Sequence, residues 1–176
     1  MPLTTAAPAH AATDPRAAFD RLFRAEYPRV VAIALRILGD AGEAEDVAQE
    51  VFLQLHRRHS PHAGFAPAWL HAAAAHSALN VIRARHRRES RERRWMSGAP
   101  PSEDPAERAV ATDTARRLRA AMGHLSQRHA SALALRNAGL SYAEVADALG
   151  IRASHVGTLL RRAETALRKE IGDAAL

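Results

Sequence analysis

Apolar residues recur at three- and four-residue spacing along most of this 176-residue chain, and no stretch alternates apolar with polar as a half-buried strand does. Phe19, Leu22, Phe23, Tyr27, Val30, Val31, Ala34, Ile37 and Leu38 fall on one helical face. Pro28 interrupts that face, which predicts a kink or two abutting helices. Gly39 is a natural stop, and Asp40 three residues before Glu43 has the spacing of a capping box. Ala44, Val47, Ala48, Val51 and Leu55 then share a face, with Glu43, Asp46, Gln49 and Glu50 largely opposite. Residues 60–67 hold two prolines and a glycine and read as a loop. A third helix is expected over about 67–94, opening with Trp69 and Leu70 and ending in an arginine block. Trp69 is expected in the core. Residues 97–105 are rich in proline and polar side chains and read as a linker. Beyond it Val110, Thr114, Leu118, Ala121, Met122 and Leu125 form another stripe, with breaks near 138–139 and at Gly150. Residues 1–15 lack periodicity and read as a loose tail.

The expected fold is therefore all-α: two small helical domains, residues 16–96 and 106–172, joined by a flexible linker, the C-terminal one a helix-turn-helix. Composition narrows the function. With no cysteine there is no disulfide scaffold, thiol nucleophile or cysteine-ligated zinc. No apolar run approaches the ~18 residues of a membrane span, so membrane insertion is not expected. The N-terminus has no basic start or apolar stretch of a secretory signal, so the expected location is the cytoplasm. The basic side chains are 24 Arg and one Lys, for a formal charge of +6. Guanidinium groups suit phosphate and bases, which makes nucleic acid the first partner to consider.

The placement of charge is more telling than its sum. Residues 40–50 carry five acids and no base; residues 83–94 carry seven Arg and two Glu. Residues 103–113 are acidic again, and 152–169 carry five bases against one acid. Two basic blocks separated by acidic ones suggest two nucleic-acid contacts and one protein-facing surface. Residues 142–161 have the marks of a helix-turn-helix. Ala146 is small where two helices cross, Gly150 tolerates positive φ in the turn, and Val145, Leu149, Ile151, Val156 and Leu159 or Leu160 lock the pair. The second helix then presents Arg152, Ala153, Ser154, Gly157, Thr158 and Arg161 toward a major groove, with Ser154 placed as an N-cap.

Four segments in this order resemble the extracytoplasmic-function (group 4) sigma factors of bacterial RNA polymerase, over about residues 16–172. They are Phe19 to Phe23 with Tyr27-Pro28 and the run 35–40; residues 44–53; Trp69-Leu70 with its arginine-rich tail; and residues 140–151 continuing to Ala163. The resemblance implies that Glu43, Asp46, Gln49 and Glu50, with Glu45 adding charge, dock on the clamp helices of the polymerase's largest subunit. The polymerase flap is an expected further contact. It implies that Phe65, His76, Asn80, Arg83, Arg85, Arg87 and Arg88 meet the −10 region, with the 60–66 loop and Asn80 receiving an unpaired base. Arg152, Ser154, His155, Gly157, Thr158, Arg161 and Arg162, with Arg168 on phosphate, would bind the −35 duplex. It also implies an anti-sigma partner for a chain that is monomeric when free, with no cofactor and no catalysis of its own.

The sequence departs from the family pattern at two places. His76 stands where Asn is common, and residues 154–159 lack a Lys and an Arg usual in the recognition helix. The weighed alternatives are a stand-alone helix-turn-helix regulator and a helical adaptor. His56, His59 and His62 have a spacing that invites a metal site, but they straddle a helix end and a loop without a carboxylate, so none is expected.

Overall fold

The computed structural model describes residues 14–60, 63–95 and 109–173. The proposed tail up to Thr13, His62 and the proposed linker lie outside them. Among the described residues there are seven α-helices and no strand.

Helix α1 (Pro15–Leu38) begins where the Asp14 carboxylate accepts from the Arg16 N–H, with proline at the first helical position. It runs unbroken past Pro28, so the alternative of two abutting helices does not occur. Pro28 is exposed, so the missing N–H falls on the solvent side, while Val30, Ile33, Ala34, Ile37 and Leu38 bury the opposite stripe. Gly39, at φ 73°, ends it in the left-handed region.

Helix α2 (Ala41–Arg58) starts on the Asp40 carboxylate, which accepts from the Glu43 N–H at 2.9 Å. Only this half of the anticipated capping box forms. The Glu43 side chain turns instead to Arg85 on helix α3 (Ala66–Trp95), at 2.6 Å. Ala44, Val47, Ala48, Val51, Phe52 and Leu55 form the buried face of α2. In α3 the small residues Ala66, Ala74, Ala75 and Ala78 alternate with Leu70, Leu79 and Ile82, all buried, which lets three helices approach closely. Ile33, Leu38, Leu55, Leu70 and Leu79 are fully buried, each contributing roughly 1.5–3 kcal/mol of apolar burial.

The second unit comprises α4 (Ala109–His124), α5 (Gln127–Asn137), α6 (Tyr142–Leu149) and α7 (Ala153–Asp173). Leu135, Leu140, Val145 and Val156 are among its fully buried aliphatics. Ala121 and Leu125 of the expected α4 stripe are buried and Met122 is half-buried; Thr114 and Leu118 are exposed. Leu118 lines a junctional cavity of about 280 Å³ with Ile37, Ile82, Met122, Leu133 and Leu167. The two units meet: α3 touches α4, α5 and α6, and α1 touches α5, so one apolar cluster runs through both.

Candidate nucleic-acid interface

The helix-turn-helix forms as its residues require. Ser141 caps α6, its hydroxyl accepting from the Glu144 N–H while the Glu144 carboxylate accepts from the Ser141 N–H at 2.7 Å. The Ser-x-x-Glu spacing at 141–144 is the sequence signal for this cap. Gly150, at φ 61°, turns the chain between helices. Val145, Ala146, Val156 and Leu160 are buried at the crossing; Leu149, Ile151 and Leu159 are half-buried.

Arg152, Ala153, Ser154, His155, Thr158, Arg161 and Arg162 are exposed together at and along the first half of α7, and Arg168 is exposed two turns further on. Two expectations change. Helix α7 starts at Ala153, so Ser154 is already inside the first turn and is not its N-cap. Gly157 is half-buried and faces Tyr142: a Cβ there would lie 3.7 Å from the Tyr142 ring. It belongs to the α6–α7 contact as much as to the outward face.

On α2, Glu45, Asp46, Gln49 and Glu50 are exposed on one side of the helix. Glu50 accepts from the Gln54 amide at 2.9 Å, which fixes its orientation. Glu43 is half-buried and ion-paired with Arg85, so it is not the unpaired acid its own helix suggests.

The candidate −10 surface divides similarly. Phe65 is 52% exposed and its ring meets His59 edge-on at 5.4 Å. His59 also meets Trp69 at 5.0 Å, and Trp69 is half-buried against the core, as expected. His56 packs on Phe19 at 5.2 Å, so His56 and His59 have separate aromatic partners. The place of His59 between Phe65 and Trp69 depends on the loop's return, which its three-residue spacing from His56 does not signal.

His76, Asn80, Arg87 and Arg88 are exposed along α3. His76 is held below the ordinary imidazole range, first by desolvation against neighbouring protein and then by the Arg83 guanidinium. Arg83 is not presented to solvent like Arg87 and Arg88. It is half-buried and donates Nε–H to the Gly123 carbonyl at 3.2 Å and Nη2–H to the Leu125 carbonyl at 3.0 Å. Arg85 donates to both oxygens of Glu43. Of the four arginines expected at the −10 region, Arg83 and Arg85 thus hold partners within the chain, Arg85 while remaining exposed.

Side chains that sequence reading did not single out also join the elements. Buried His71 on α3 is 2.8 Å from the Glu26 carboxylate on α1. Arg29 on α1 pairs with Glu144 on α6 at 2.6 Å. Glu144 is pushed down to about 2, first by the Ser141 backbone N–H, then by the Ser141 hydroxyl, with Arg29 adding to both.

A helical bundle joined to a helix-turn-helix whose outer face is basic and polar defines a DNA-binding transcription protein. Residues 22–88 match Sigma-70 region 2, and residues 115–167 match Sigma-70, region 4. The ECF RNA polymerase sigma factor SigK of Mycolicibacterium vanbaalenii is 32% identical, over 89% of this chain and 83% of that protein. The SigK of Mycobacterium bovis is 31% identical, over 87% and 85%. The probable RNA polymerase sigma factor RfaY of Xanthomonas campestris is 34% identical over 92% of this chain and 42% of its own length. Among solved structures, the sigma factor RpoE of Bartonella quintana, in complex with the anti-sigma factor NepR, has a TM-score of 0.48 at 19% identity, covering 88% of this chain and 96% of that one. This chain belongs to the extracytoplasmic-function sigma factors.

Proposed function

We propose that the chain is a dissociable promoter-specificity subunit that binds core RNA polymerase, places its C-terminal unit on −35 duplex and opens the −10 region with its N-terminal unit. The observation that carries the reading is the presence, on one chain, of an exposed acidic face on α2 and an exposed basic and polar face on α7, within the two matched sigma-70 regions. A free helix-turn-helix regulator has use for the second face alone.

Asp46, Gln49 and Glu50 would make charge-assisted hydrogen bonds to a basic polymerase surface, with Glu45 adding charge. Ser154, His155, Thr158 and Arg161 would reach base edges in the major groove, while Arg152, Arg162 and Arg168 hold phosphates. Asn80 carries donor and acceptor on one side chain and suits an unstacked base. The exposed ring of Phe65, with His59 beside it, supplies a stacking face. Unstacking costs a few kcal/mol, so capture must return it through these contacts. Arg87 and Arg88 hold the adjoining strand.

Phosphodiester synthesis belongs to the core enzyme, and the chain is not itself catalytic. Its place is the cytoplasm, where core polymerase acts. An anti-sigma protein is the partner expected to hold the free monomer inactive. Affinity capture with purified core polymerase tests the reading: stoichiometric retention is expected, and no retention removes the sigma assignment.

A further inference from the structure

The junctional cavity beside Leu118 has apolar walls and a basic mouth. Five helices build it: Ile37 comes from α1, Ile82 from α3, Met122 from α4, Leu133 from α5 and Leu167 from α7. Ala134, buried on α5, forms part of the wall, and its single methyl leaves space that a larger side chain would fill. The volume is about 280 Å³. That is roughly twice the ~150 Å³ of an apolar cavity that takes up benzene, and just under the ~300–1,000 Å³ of ordinary small-molecule sites. Protein interiors hold few voids larger than a water molecule, so apolar space of this size favours a guest with an apolar body.

The charge at the mouth defines the other end of that guest. The polar side chains on the lining are Arg36, Arg119 and Asn137, with no carboxylate among the described residues. Arg36 and Asn137 are exposed, which puts them where the cavity opens; Arg119 is half-buried. Arg36 lies in the last turn of α1, and the Arg119 guanidinium, from α4, lies over Gly39, the residue that ends that helix. A Cβ at Gly39 would collide with it, so the glycine makes room for the second cation. The α1 dipole places about half a negative charge at this end, which two full positive charges outweigh. A carboxylate accepts from both guanidinium groups, and Asn137 offers a further N–H. We propose that the cavity is a binding site for a small aliphatic carboxylate, its chain among the apolar walls and its head between Arg36 and Arg119. None of the lining side chains is a proposed DNA or polymerase contact, so the site is separate from both.

Isothermal titration calorimetry of the full chain with octanoate tests the site. One octanoate per chain is expected. Octanol has the same chain length without the charge, and it should bind about tenfold more weakly or worse, the loss expected of a charge-assisted hydrogen bond. Octylammonium should show no saturable binding. Lengthening the acid from butanoate should tighten binding by up to about fourfold per methylene, then level off as the cavity fills. Arg36→Gln with Arg119→Gln should bring octanoate to the octanol level and leave octanol unchanged. Leu118→Trp, at an exposed position on the wall, should block both molecules. The location is also read without a substitution. The chain has three methionines, of which Met122 lines the cavity. In methionine-methyl NMR, octanoate should shift the Met122 resonance, assigned with Met122→Leu, and leave the other two in place.

Absence of saturable octanoate binding, equal binding of octanol or octylammonium, or an unmoved Met122 methyl overturns the proposal. So does a preference for the carboxylate that survives Arg36→Gln with Arg119→Gln, or octanoate binding that survives a folded Leu118→Trp. Circular dichroism checks the fold of each variant; where Leu118→Trp is unfolded, the Met122 resonance of the unaltered chain decides the location.

Discussion

Arg83 and Arg88 lie on the same helix and carry the same group, yet one is held by two carbonyls and the other faces solvent. Sequence shows both as members of an arginine block; only the return of α4 separates them. Glu43 teaches the same lesson, since no base lies within one turn on α2 but Arg85 reaches it from α3. His76 gives a measurement at this scale. Its imidazole should titrate below the ordinary range by NMR, and Arg83→Gln should bring it part of the way back. A lowered imidazole leaves the folded protein binding fewer protons than the unfolded chain. The stability it contributes is therefore full above the ordinary imidazole value and falls as pH drops from there toward the depressed one. Asn80→Ala should reduce transcription from double-stranded promoters more than from a pre-melted template; equal loss on both removes the base-capture role.

Helix limits were largely legible, because capping and periodicity are local. The third helix, expected over 67–94, runs from Ala66 to Trp95, and Gly39 and Gly150 mark the left-handed ends their positions suggest. Pro28 does not split α1 into two helices, because its cost depends on whether the gap faces core or solvent. Ser154 misleads because α7 starts two residues earlier than a cap at Ser154 requires. The caps give element-scale predictions. Asp40→Ala should cost about 1 kcal/mol of unfolding free energy in urea titrations, and Ser141→Ala a similar amount. Because Glu144 is held near 2, the stability it lends to α6 is full above the ordinary carboxylate range and is lost as pH falls from there toward 2. Replacing Asp46 and Gln49 with Ala should weaken capture by core polymerase while leaving binding of isolated −35 duplex unchanged; parallel loss of both argues against a dedicated polymerase face on α2.

At the scale of the molecule, segregated charge became segregated surface: acids on α2, arginines along the outer part of α3, and a polar and basic face on α7. The contact between units was not legible, since Arg29 with Glu144, Arg83 with Gly123 and Arg119 with Gly39 follow no spacing rule. They depend on how two helical units dock, which many sequences satisfy in different ways. The proposed duplex contact carries a salt signature. Removing Arg162, as a phosphate contact, should weaken binding to all sequences alike and lower the slope of log affinity against log salt by roughly one. As the proposed promoter-specificity subunit, this chain should give core polymerase a choice of promoter. The most direct test of that role is in vitro transcription by core enzyme on fragmented genomic DNA, with and without the protein, followed by mapping of RNA 5′ ends. Discrete start sites that appear only with the protein and share two spaced upstream elements are expected. An identical distribution of 5′ ends in both reactions contradicts that role.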